Sequence, residues 1–196
     1  MGFDIRKIRK SRNAKWTGII PGLLLISMLF SCSHDYDSDT LDLGKYQWNM
    51  WPEMEVQTAS GAALVNEPSC GWDVLHRGMG KLVRIPAALE PSFKAEEMSS
   101  VAWFHCRHTL PELWAEREIA LKFEGVSHEA EVYLNGELVG TFLAKDNPFT
   151  IDITDKVYYV RDNHLVVRVY DPNPASCGIS GNILVISTPP DQIPRN

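Results

Sequence analysis

Asn135-Gly136 is the pair of residues that most restricts how this chain can fold. Before it, Ala130, Val132 and Leu134 alternate with Glu131 and Tyr133, and after it the run Leu138 to Phe142 returns. A two-residue turn whose twist suits paired strands needs positive φ at both central positions, which Asn and Gly accept, so the stretch is a β-hairpin with one face buried at period two. Other short runs of strand type are Lys81–Ile85, Val101–Arg107, Ile119–Phe123, Phe149–Ile153, His164–Tyr170 and Ile183–Ser187, most of them set apart by Gly, Pro, Asn or Asp. Many short strands punctuated in this way imply a sandwich or barrel of antiparallel sheet. The best helical stretch, Pro111–Arg117, is two turns at most. An all-β, single-domain chain is expected.

Beyond the hairpin, motifs occur in a fixed order. Trp103-Phe104-His105-Cys106-Arg107 leads into Leu110-Pro111, and Ile119 to Phe123 runs on to Gly125-Val126. Val132-Tyr133-Leu134-Asn135-Gly136 follows, then Asn147-Pro148-Phe149-Thr150-Ile151-Asp152-Ile153-Thr154, and Asn163-His164-Leu165-Val166-Val167-Arg168-Val169. In order and spacing this series resembles the sugar-binding N-terminal domain of glycoside hydrolase family 2, the β-galactosidase, β-glucuronidase and β-mannosidase group. The likeness runs roughly from Leu43 to Thr188 and is strongest after Leu82. It implies a jelly-roll β-sandwich, galactose-binding-domain-like, over residues 45–190, with 191–196 as a tail.

The N-terminus has a different composition. Arg6, Lys7, Arg9, Lys10, Arg12 and Lys15 precede an apolar stretch from Trp16 to Phe30 that is interrupted by Pro21-Gly22. That is the layout of a secretory signal peptide, too short to span a bilayer comfortably. Leu29-Phe30-Ser31-Cys32 resembles the lipobox of bacterial lipoproteins, although Phe30 stands where a small residue is commoner. The resemblance implies a signal peptide over 1–31 and lipidation at Cys32; cleavage near Ser31 by an ordinary peptidase is the alternative. Asp35, Asp37 and Asp39 then make residues 32–44 an acidic tether, similar to signals that send some lipoproteins to the outer face of the outer membrane. The expectation is an exported outer-membrane lipoprotein, surface-exposed and held to the membrane through Cys32.

Six of the 19 basic residues and one of the 25 acidic residues lie before Cys32, which leaves 13 against 24 and a net charge of −11 from Cys32 onward. Nucleic acid is excluded as a natural partner for such a surface. Neutral sugars are not. Besides Cys32 there are Cys70, Cys106 and Cys177. Cys106 falls in mid-strand, where a thiol packs as a small hydrophobe. Cys70 and Cys177 both fall in loops of an exported chain, so a bridge between them stays open. No Cys/His spacing reads as a zinc site, and no metal or other cofactor is expected.

Catalysis is not expected of this chain alone. Family resemblance implies two glutamates on a (β/α)₈ barrel, and a barrel needs some 250 residues more than the sandwich. Local acids such as Glu112, Glu116, Glu129 and Glu131 read as solvated faces. Neither a Gly-x-Ser-x-Gly elbow nor a phosphate loop nor a His-Glu-x-x-His pair occurs. The catalytic set is therefore empty.

Sugar contact is another matter. Resemblance places Asp171, just after the Val-Arg-Val strand, where the family's aspartate can reach towards the barrel; the residue is also a natural turn former before Pro172. Asn173 lies in the same loop. Gly181 stands where the family usually carries an arginine or an aromatic residue. An exposed tryptophan can stack on the C–H face of a sugar, and of Trp48, Trp51, Trp72, Trp103 and Trp114 the last is the best exposed candidate, the others reading mostly as packing. Three functions follow: a non-catalytic carbohydrate-associated lipoprotein domain, the N-terminal part of a glycosidase whose catalytic domain is its partner, or an interaction domain without sugar binding.

Overall fold

Alternating residues from Asn163 to Tyr170 place one long strand at the centre of the fold. The computed structural model describes residues 39–53, 72–77 and 80–192. Its strands are β1 (Thr40–Asp42), β2 (Trp48–Pro52), β3 (Lys81–Val83), β4 (Ala87–Ala88), β5 (Val101–Thr109) and β6 (Glu118–Phe123). They continue as β7 (Glu129–Leu134), β8 (Glu137–Phe142), β9 (Phe149–Asp152), β10 (Asp162–Tyr170), β11 (Gly178–Ile179) and β12 (Ile183–Thr188). One sheet has six strands in the order β3-β2-β5-β10-β7-β8; the other has four, β1-β12-β6-β9; β11 and β4 form a small third pair. Every pairing between these strands is antiparallel. The all-β sandwich is therefore present, and each of the eight runs expected from the sequence lies on a strand.

The core lies between the two large sheets. From the six-stranded sheet come Trp48, Met50, Phe104, Cys106, Val132, Leu165 and Val167; from the other come Ile119, Leu121, Phe123, Ile151, Ile183 and Val185. Phe142 of β8 stacks on Phe149 of β9 at 4.1 Å between ring centres, and Phe149 stacks on Phe123 at 4.6 Å. That aromatic stack ties the sheets together at one edge. The Trp48 ring is fully buried, and its indole N–H donates to the Leu43 carbonyl at 2.9 Å.

Two expectations change here. The sandwich starts before Lys45, because Leu41 pairs with Val185 in β1–β12 and Leu43 is wholly buried. Asp39, expected in the tether, accepts from Arg117 at 2.6 Å. The acidic run hid a short edge strand whose apolar residues are only Leu41 and, just after it, Leu43. The alternation in β7 also misleads, since Tyr133 is 7% exposed although it lies on the face expected to meet water. The six-stranded sheet is covered on its outer side as well: Trp103, Tyr133 and Val166 form a second apolar cluster with Trp51, Trp72 and Val101 against it. Helix α1 (Trp72–His76) supplies part of that cover.

At the hairpin tip Asn135 and Gly136 have φ of 54° and 87°, as a mirror-image turn requires. The Asn135 side chain also accepts from the His164 amide at 3.0 Å and donates to the Asn163 side chain at 3.1 Å. Asn163 is fully buried and closes the Tyr158 loop through the Tyr158 amide and carbonyl. The departure at Gly181 has a steric origin. A Cβ there would come within 2.6 Å of the Gly125 nitrogen and 2.7 Å of the Glu124 carbonyl carbon, so no side chain fits while these backbones touch. Cys106 and Cys177 form no disulfide among the described residues, and burial pushes both thiols up to about 12. Cys177 donates to the Val169 carbonyl at 3.4 Å. Cys70, the other half of the bridge left open, lies outside the described residues, as do the leader and Cys32.

Candidate functional site

Three residues were expected to touch sugar, and the structure separates them. Asp171 follows β10, its amide donating to the Ser100 carbonyl just before β5. Its carboxylate accepts from the Asn173 amide at 2.8 Å and from the Ser176 hydroxyl at 3.0 Å, and the residue is 8% exposed. That is the geometry of a turn former. Asn173 is exposed in the same turn, its side chain accepting from the Ala175 amide at 3.3 Å.

Trp114 lies beyond the other end of β5, nine strand residues or roughly 30 Å away at ~3.3 Å each. It is not a platform: the single helical turn Glu112–Trp114 tucks the indole into the core at 1% exposure and turns Leu113 outward instead. The expectation of an exposed ring there is corrected, because the phase of that turn is one residue off the expected one. Among the described residues no tryptophan is exposed.

What the strands bring together instead lies on the outer face of the six-stranded sheet. On β5 the residues Trp103, His105 and Arg107 share that face, and β10 places His164, Val166 and Arg168 beside them. Arg168 pairs with Glu131 at 3.3 Å, both largely shielded, and the Tyr133 hydroxyl donates to the same carboxylate at 2.8 Å. Burial, together with that carboxylate, raises the Tyr133 hydroxyl well above its usual range. The Trp103 indole N–H donates to Glu53. Trp72 meets Trp103 edge-on, with ring centres 5.8 Å apart, and Tyr133 at 4.9 Å.

Further along the same face three imidazoles converge. His105 Nε2 and His164 Nδ1 are 3.0 Å apart with the rings parallel within 6°, and the His76 ring from α1 lies 4.9 Å from His164 and 5.9 Å from His105. Such a hydrogen bond needs one proton between two nitrogens, so the pair is stable when both rings are neutral. Burial and the neighbouring imidazoles hold His105 down at about 4. Burial lowers His164 and His76 as well, against the pull of Asp162 and Asp73 respectively. The two nitrogens face each other rather than a shared centre, and among the described residues no group of His, Cys, Asp or Glu could hold a metal.

Beside the imidazoles the sheet opens into a groove of about 420 Å³. Asn49, His76 and His105 line it with Gln47, Arg77 and Arg107. A second hollow of about 520 Å³, near β4 and β11, is lined about equally by polar and apolar surface and carries Arg84 and Glu90, charges of opposite sign. Only the first combines amide, imidazole and guanidinium groups, the set that satisfies sugar hydroxyls. His105 and Arg107 stood together in the sequence, but their meeting with His164 rests on register. The alternating polar positions of β5 and β10 could have suggested it once the two strands were paired.

Comparison with known proteins agrees with this architecture. Residues 33–180 match the model of "Glycosyl hydrolases family 2, sugar binding domain". Over 79 residues the chain is 34% identical to a β-galactosidase of Thermoanaerobacter pseudethanolicus, a match spanning 40% of this chain and 11% of that enzyme. Among solved structures, a β-glucuronidase of Ruminococcus gnavus superposes with a TM-score of 0.59 at 16% identity, over 77% of this chain and 29% of its own. The β-glucuronidase of Bacteroides uniformis gives 0.55 at 18% identity, over 76% and 18%. At these identities the structural likeness is one of fold. The chain spans well under a third of each of these relatives.

Proposed function

This chain belongs to glycosyl hydrolase family 2 through that family's sugar-binding domain, and from that premise we propose that it is a non-catalytic, carbohydrate-associated β-sandwich. The match over residues 33–180, which takes in the whole six-stranded sheet and three of the four strands of the other, is the observation that carries the reading. The groove beside His105 is the surface best equipped to make the contact. A shallow groove offers one sugar few interactions, so a monosaccharide binds no tighter than about millimolar, about −4 kcal/mol, and a polymer gains through several contacts at once. Retention of the full chain on immobilised plant and microbial polysaccharides, with calorimetry on monosaccharides beside it, tests this. A folded chain that no glycan retains sinks the reading; a micromolar monosaccharide constant sinks its account of affinity.

Coverage favours a second reading. The domain is a small part of the β-galactosidase and of the β-glucuronidases it resembles, at 11%, 29% and 18% of their lengths. Here too it can serve as the sugar-binding part of a glycosidase, buttressing a catalytic domain. Co-purification with β-galactoside- or β-glucuronide-cleaving activity supports this alternative.

The proposal extends to location. The basic leader, the apolar stretch and Leu29-Phe30-Ser31-Cys32 support export and display on the outer membrane through a lipid at Cys32. Cells expressing the full chain and fed an alkyne palmitate label it, and Cys32→Ala abolishes the label. Equal labelling of the variant removes the anchor from the proposal.

A further inference from the structure

We propose that the groove on the outer face of the six-stranded sheet takes an acidic glycan, a sugar chain bearing carboxylates, gripped by Arg77 and Arg107 above a floor of neutral imidazole and amide groups. This rests on the sugar-binding reading and names the class of sugar. The first ground is charge. The chain carries 25 acidic residues against 19 basic ones, yet the groove has two guanidiniums and no carboxylate among its described lining residues. A cationic hollow on an acidic surface concentrates anions where the rest of the surface repels them.

The state of those cations is the second ground. Arg107 has an ion-pair partner, Asp162 at 3.5 Å, but the two side chains are 65% and 51% exposed. An exposed pair of that kind contributes little, so a ligand carboxylate can displace Asp162 at little cost. The guanidinium fork then receives both carboxylate oxygens, a match that ammonium groups do not offer. Arg77 is exposed at the end of α1, on the wall of the same groove.

The third ground is unused hydrogen-bonding capacity beneath. His105 Nδ1 and His76 Nε2 are closed to solvent and have no hydrogen-bond partner among the described residues. With His164 Nδ1–H donating to His105 Nε2, the single proton of neutral His105 sits on Nδ1 as a donor; with the roles reversed, Nδ1 accepts. Either tautomer leaves a nitrogen that a hydroxyl can satisfy once the ring turns toward the groove. Leu82, 60% exposed on β3, adds an apolar contact on the wall for the C–H face of a ring.

Affinity electrophoresis of the full chain through gels containing polygalacturonate, carboxyl-reduced polygalacturonate or a neutral galactan tests the assignment, with poly-glutamate as a plain polyanion. Polygalacturonate is expected to retard the chain, the reduced polymer and galactan far less. Arg107→Gln and Arg77→Gln each weaken retardation about tenfold, as loss of one charged hydrogen-bond pair does, and the double variant about a hundredfold. Unfolding midpoints unchanged from the parent chain confirm that these exposed substitutions leave the sandwich intact. Equal retardation by polygalacturonate and its reduced form, or undiminished binding by the double variant, overturns the acidic-glycan assignment and leaves sugar binding standing. Arginine-dependent binding to poly-glutamate as strong as to polygalacturonate also overturns it. A folded chain retarded by no glycan defeats the sugar-binding reading itself.

Discussion

Trp114→Ala lowers the free energy of unfolding by about 3–5 kcal/mol, the range for emptying a buried aromatic site, out of the about 5–15 kcal/mol that holds a typical domain together. The indole is 1% exposed in the main core, on a turn that begins three residues after β5 ends, and truncation at such a site leaves a cavity that its surroundings fill only in part. Trp114→Phe behaves differently. The indole nitrogen is buried without a hydrogen-bond partner among the described residues, so phenylalanine keeps most of the packing and removes an unsatisfied donor, at a cost under about 2 kcal/mol. Urea unfolding of the three chains reads both effects. A Trp114→Ala chain as stable as its parent would falsify the inward orientation. Any loss of glycan retention in that variant reports unfolding, which is why Arg77 and Arg107 are the residues to change when a binding site is sought.

Acid destabilises the sandwich between about pH 6.5 and 4, and His108 is one of two buried imidazoles that cause it. The residue is 2% exposed, and neither ring nitrogen has a hydrogen-bond partner among the described residues. Burial, with some help from His164, holds it down at about 4 from its ordinary 6.5. The unfolded chain takes up this proton near 6.5 while the folded chain refuses it until about 4. Over that window the unfolded state binds more protons, and stability falls as pH falls. A shift of that size is worth about 3 kcal/mol, and His105, shifted the same way, adds to it. In His108→Leu the drop in denaturation midpoint from pH 7 to 4.5 shrinks, and the neutral-pH midpoint rises because two unsatisfied nitrogens are gone. A variant with the same pH profile as the parent rules out His108 as a cause.

Strand positions were legible wherever alternation met a turn residue. Asn135-Gly136 located β7 and β8, and Asn147-Pro148 preceded β9. β2 escaped because Trp48-Asn49-Met50-Trp51 carries tryptophans on both faces: Trp48 enters the core and Trp51 the second cluster, so no contrast marks a period. β1 escaped for the opposite reason, with too few apolar residues among aspartates. Site residues were read less well. Asp171 and Asn173 were located by analogy in a loop whose own amides and hydroxyl engage the aspartate. The groove could not be seen in one strand at a time, because Asn49, His105 and His164 come together only through the β2–β5 and β5–β10 registers.

The burial of β5 and β10 on both sides sets a rigid centre against more permissive positions around it. Ala102 to Cys106 on β5 and Leu165 to Val169 on β10 are unbroken buried runs, so a change at any of these positions disturbs one packed face or the other. The outward positions of the four-stranded sheet, such as Glu118, Lys122, Thr150 and Asp152, are partly or fully open to solvent. A saturation library made across both sheets would recover diversity from these positions and from the exposed edge strands β3 and β8, and little from the buried runs of β5 and β10. Anyone grafting a new recognition surface onto this scaffold should begin there.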